Sequence, residues 1–112
     1  MKKWQHLRYV VISRDRLGDL AADAAGGDAR AARVLAAILE WDGTAARCIN
    51  CKVGPLLQPE AFIITLKDDG ETWGAGICAR CCAAHEGQLV ELAQAHLRRA
   101  HPSMRIVTPG TA

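Results

Sequence analysis

A chain of 112 residues with a formal net charge of +2 is long enough for one modest core and too short for several. Half of its residues are hydrophobic, but alanine supplies much of that share, and Trp4, Tyr9, Trp41, Phe62 and Trp73 are its aromatic residues. The core is therefore thin per residue, and bulk charge gives no argument for a polyanionic partner.

Residues 4–12 are rich in aromatic and β-branched types and read as a short strand, with Ser13 placed to cap a helix. Lys2, Lys3 and Arg8 flank the apolar run Tyr9-Val10-Val11-Ile12, which Arg14 ends. That run is too short for a signal peptide or a membrane span, so a cytoplasmic protein without a membrane partner is expected. Leu17, Leu20, Ala21 and Ala24 follow at helical spacing, and Gly26-Gly27 stops that helix. Asp28 then caps a second helix with Ala31, Val34, Leu35, Ile38 and Leu39 as its apolar positions. The expected result is a helical hairpin running to Trp41, where Asp42-Gly43-Thr44 breaks the pattern.

The chemistry changes at Arg47. Cys48 and Cys51 are followed by Gly54-Pro55 and Pro59 as turn signals, then by Phe62-Ile63-Ile64-Thr65-Leu66 as a strand. Asp69-Gly70 connects it to Thr72–Ile77, making a β-hairpin that delivers the chain to Cys78 and Cys81. Residues 83–100 read as one long helix with Leu89, Val90, Leu92, Ala93 and Leu97 on its apolar face. Arg98, Arg99 and His101 suit its negative end, and Pro102 stops it. Met104-Arg105-Ile106-Val107 reads as a last strand and residues 108–112 as a tail. This gives one domain over 1–112, with a hairpin segment at 1–46, a metal-binding segment at 47–101 and a strand and tail at 102–112.

Cys48, Cys51, Cys78 and Cys81 form C-x2-C-x26-C-x2-C, in which each pair turns two sulfurs toward one ion. In a reducing compartment such pairs hold metal rather than disulfides, and one structural Zn²⁺ is expected. Four thiolates and Zn²⁺ together contribute −2, so the formal +2 of the chain would fall to near zero. Cys82 lies about 100° round a helix from Cys81 and reads as a buried small residue. His85, one turn past Cys81, is a candidate alternative ligand or a partner that orients one.

The order of knuckle, β-hairpin, second CxxC and helix resembles a treble-clef zinc finger over about residues 47–100. The resemblance implies Cys48, Cys51, Cys78 and Cys81 as ligands, with the second pair at the start of the long helix. One departure is Lys52, which stands where a glycine often follows the first knuckle. The whole reading is an α+β fold in which the N-terminal strand and hairpin pack on the finger, and the long helix supplies the shared apolar face.

Function is less legible. The hairpin, Trp4, Trp41 and the near-zero metallated charge suggest a non-catalytic regulator or adaptor that binds another protein. The alternative is a nucleic-acid-binding zinc finger using Arg98, Arg99 and Arg105 with Lys2, Lys3 and Arg8, which would form one basic face if the chain ends meet. Catalysis is not expected. His85-Glu86 follows its CxxC where a deaminase places His-x-Glu before it, and Leu89 stands where a metalloprotease needs a second histidine.

Overall fold

The computed structural model describes residues 6–67 and 70–107, with backbone alone at His6 and Val107. Lys2, Lys3, Trp4, Asp69 and the tail at 108–112 lie outside the described residues.

The fold is organised by β2 (Ala61–Lys67), in which every residue from Ala61 to Leu66 is buried. A strand without polar alternation must be covered on both faces. β1 (His6–Ser13) pairs antiparallel along one side, from Leu7 opposite Lys67 to Ser13 opposite Ala61. β3 (Thr72–Ile77) pairs antiparallel along the other side, completing the expected hairpin. β4 (Arg105–Val107) adds in parallel outside β1, giving the order β3-β2-β1-β4.

Two helical layers cover the sheet. α1 (Leu17–Ala25) and α2 (Ala29–Leu39) bring Leu20, Ala31, Val34 and Ile38 onto Phe62, Ile64 and Leu66. On the opposite face, α4 (Leu89–Ala100) lays Ala93 and Leu97 over Leu7, Tyr9 and Ile63. Ile63 and Ile64 are both fully buried, one in each layer, and such burial is worth about 1.5–3 kcal/mol per side chain. The hairpin therefore does not share an apolar face with the C-terminal helix, as the sequence suggested. The two-faced strand β2 is the shared element, because its alternate residues supply both cores.

The hairpin termini follow their local chemistry. Asp28 Oδ1 accepts from the backbone N–H of Arg30 and of Ala31, each at 3.0 Å, and Gly27 takes φ +100° in the turn before it. Ser13 precedes a single 3₁₀ turn, Arg14–Arg16, but its side chain makes no capping bond. Leu39, placed on the apolar face by spacing, is 77% exposed, since it lies about 100° round the helix from Ile38, which takes the place against the sheet.

The long C-terminal helix is also corrected. The chain forms α3 (Ala79–Ala84), breaks at 85–88, and restarts as α4. Gly87 takes φ +81° in the break, a conformation that glycine adopts at little cost and that no helix continues through. The break lets α3 hold Cys81 in one direction while α4 turns to lie on the sheet. No helix among the described residues is long and apolar enough to cross a membrane.

Candidate metal centre

The loop before β2 and the loop after β3 meet at one end of the sheet. Cys48 forms an isolated bridge with Gly76, and Ile49 N–H donates to Gly76 O at 3.1 Å, so the first CxxC is clamped to the strand that delivers the second. The turn itself is closed by Cys48 N–H to Val53 O at 2.9 Å and Lys52 N–H to Cys48 O at 3.0 Å. Lys52 adopts φ +65° there, which explains why glycine often occupies such a position. Lys52 Nζ donates to Ile49 O at 2.8 Å, a bond glycine lacks.

The sulfurs of Cys48, Cys51, Cys78 and Cys81 all lie within 4.8 Å of one another, and none is in a disulfide. Cys51 and Cys78 approach to 3.6 Å. Zn–S bonds of about 2.3 Å in a tetrahedron require S···S edges of roughly 3.8 Å. The four side chains therefore fit one ion, and an all-thiolate set selects zinc among the ions that structural sites hold. Four sulfurs complete tetrahedral coordination and leave no position for water or substrate.

Donors surround the sulfurs. Cys78 N–H points to Cys48 Sγ at 3.4 Å, and Cys81 N–H to Cys78 Sγ at 3.5 Å. Asn50 Nδ2 reaches Cys81 Sγ at 3.4 Å. Burial pushes the Cys48 thiol up, but backbone donors from Cys78, Cys51 and Asn50 outweigh it and bring the group down to about 6. Cys78 is pushed up to about 12, first by burial and then by its thiol neighbours. For Cys81 the Asn50 donor lowers the pKa, yet burial and the thiols of Cys51 and Cys48 leave it raised. Cys78 and Cys81 thus resist ionisation by themselves, and a divalent cation is the group that makes their thiolates compatible with those of the other two cysteines.

His85 lies outside this sulfur cluster. Its Nε2 is 3.3 Å from Asn50 Nδ2, so it stands behind the amide that touches Cys81. Cys82 is half-buried with Sγ 3.9 Å from Ile77 O, and burial raises it to about 11. Asn50 was missed in the sequence, although an amide inside the first CxxC was a visible signal for a sulfur donor.

The other candidate residues disperse. Trp41 is half-buried between the two cores, edge-on to Phe62 at 5.5 Å, with Nε1 donating to Leu56 O at 3.0 Å. The first and last described strands are neighbours, since Arg105 lies opposite His6. Arg8 and Arg105 do not make one basic face with the helix end, however. Leu7 and Ile106 face α4, which turns Arg8 and Arg105 to the other side of the sheet from Arg98 and Arg99. The end of α4 instead joins a ring stack that the sequence did not suggest: Trp73 lies 4.4 Å from His101 at 16°, under Lys67 Nζ at 4.7 Å.

Fold and site together define a small α+β domain with a four-cysteine metal centre. The chain matches no family model, no curated protein and no solved structure.

Proposed function

We propose that the protein is a non-catalytic, zinc-stapled adaptor or regulator of the reducing cytosol, and that it binds an extended segment of a protein partner along β3. Its metal-binding part is proposed as a treble-clef finger with a foreshortened helix. The closed four-sulfur coordination supports a structural role for zinc.

The observation that carries the binding reading is the outer edge of β3. At Gly76 that edge is occupied by Ile49. By the two-residue period of a strand, Gly74 and Thr72 present their backbone groups outward in the same direction. Beside them lies a hollow of about 390 Å³, bordered by Ala37, Glu40, Trp41, Ala46, Thr72 and Gly74. Leu57, 62% exposed, belongs to the segment that runs against Gly43, and Leu39 closes the helix above it. An added strand would gain main-chain hydrogen bonds from β3 and a side-chain pocket walled by Trp41.

Selection from a library of displayed linear peptides tests this reading. Bound peptides are expected to protect the Thr72 and Gly74 amides from hydrogen exchange. Thr72→Pro, which removes an outward donor at the first residue of the strand, should abolish binding while leaving zinc content unchanged. Protection confined to another surface, or binding indifferent to Thr72→Pro, would contradict it.

A further inference from the structure

A second concavity lies on the hairpin side of the sheet, about 310 Å³ in volume and lined by Arg8, Ala29, Arg30, Arg33, Leu66 and Lys67. Each arginine reaches it for a separate reason. Arg8 is out of phase with Leu7 and Tyr9, whose side chains lie under α4. Arg30 and Arg33 are three apart on α2 and so project from one side of it. Lys67 contributes its backbone: its carbonyl accepts from Arg33 Nη2 at 3.4 Å, whereas its ammonium sits over Trp73.

Three arginines thus line one hollow. Among the described residues no carboxylate comes within 4.0 Å of any of them. Asp23 and Asp28 border the adjoining hollow on the far side of Arg30, but Asp28 Oδ1 is turned to the backbone of α2. Like charges gathered in this way repel one another, and an anion bound among them relieves that repulsion. The planar, forked donors of arginine match the oxygens of a phosphate in particular.

We infer that the hollow between β1, the end of β2 and the start of α2 is a phosphate-binding site formed by Arg8, Arg30 and Arg33. Arg105 extends it. Arg105 stands opposite His6 on the neighbouring strand, two residues along from Arg8 and on the same face, which separates the two backbones by roughly 8 Å. One phosphate needs only the hollow; a line of arginines continuing to Arg105 suits a chain of phosphates, as in a nucleic-acid strand. The site lies away from the outer edge of β3, so it stands or falls apart from the peptide reading.

The test uses the zinc-loaded full chain with two probes, a short mixed-sequence single-stranded oligonucleotide and inorganic pyrophosphate, read by anisotropy and calorimetry. The oligonucleotide is expected to bind in a salt-dependent manner, and R30Q/R33Q to weaken it at least tenfold. Each single-strand phosphate contact contributes about 0.7 to the slope of log K against log salt, so the double variant should flatten the slope by about 1.4. R98Q/R99Q, on the opposite face, should change little. Zinc stoichiometry reports folding, and the single change R33Q, at an exposed position, gives the same readout if the double variant loses structure. Pyrophosphate binding lost in R30Q/R33Q, without oligonucleotide binding, would uphold the site and assign it to a small phosphate ligand. Failure of both probes, or binding that survives R30Q/R33Q and falls with R98Q/R99Q, would overturn it.

Discussion

Cys78→Ser isolates the contribution of the metal. Cys78 is the N-cap residue of α3, where its sulfur accepts from Cys81 N–H at 3.5 Å. Serine is among the best residues for that position, so the substitution keeps the cap while removing one thiolate. Any loss of stability then reports zinc rather than helix. Structural zinc contributes an apparent ~10–16 kcal/mol in small zinc-finger peptides near neutral pH, against a total stability of about 5–15 kcal/mol for an ordinary domain. Losing even about 3 kcal/mol should lower Tm by roughly 10–20 °C in a chain of this size. Native mass spectrometry after dialysis against a chelator is expected to show no retained zinc in Cys78→Ser, and calorimetry no cooperative transition near that of the parent. Cys82→Ser is the control: its half-buried sulfur makes a weak 3.9 Å contact, so it should keep one zinc and change stability by about 1 kcal/mol or less. A Cys78→Ser protein that keeps one zinc and melts within a few degrees of the parent would refute the reasoning, as would equal damage from Cys82→Ser.

Gly43→Ala should destabilise by about 1–3 kcal/mol, because its Cβ would fall on the backbone of Leu56 and Leu57 next to the Trp41 hydrogen bond. A urea midpoint equal to the parent's would show that this close approach is not present in solution. At Lys52, φ +65° predicts that Lys52→Val costs about 1–2 kcal/mol while Lys52→Gly does not, with zinc retained in both; equal melting temperatures for the two would contradict that backbone conformation. His96 and His101 are both held below the ordinary 6.5, each chiefly by burial, with the positive groups around them adding to it. Between their folded values and 6.5 the unfolded chain binds more protons, so stability rises with pH across that window and is lost as pH falls through it. Urea unfolding below pH 6.5 should show that slope, and His96→Gln with His101→Gln should flatten it. A flat profile with full zinc content in the parent would dismiss the proposal.

What the sequence disclosed was its local chemistry. Two cysteine pairs need only a tight turn each to declare themselves, and Asp28, Gly27 and the β2–β3 hairpin are likewise decided within a few residues. The misreadings arose where tertiary partners decide. Nothing near Ala61–Leu66 states that it will be covered twice, so the hairpin was joined to the wrong surface. The helix-forming composition of residues 83–100 hid the break at Gly87, which the need to aim α3 and α4 differently makes worthwhile. Arg30 and Arg33 carry no signal of their own in the sequence. Their meaning depends on Arg8, which only the sheet register brings beside them.

The parallel pairing of β1 with β4 has a consequence for how the chain is made. β1 is synthesised before both of its partners, β2 and β4, and every other element lies between it and β4. As the nascent chain emerges, α1 and α2 are too short to be stable alone, and the apolar side chains of β1 must wait with them for β2. Long-range strand pairing of this kind slows folding, because the entropy of closing a large loop is lost before the contacts that reward it are made. The first cysteine pair also emerges well before the second. The four-sulfur site therefore closes only after β2 and β3 are made, and until then β1 and β2 lack the staple that joins the two loops.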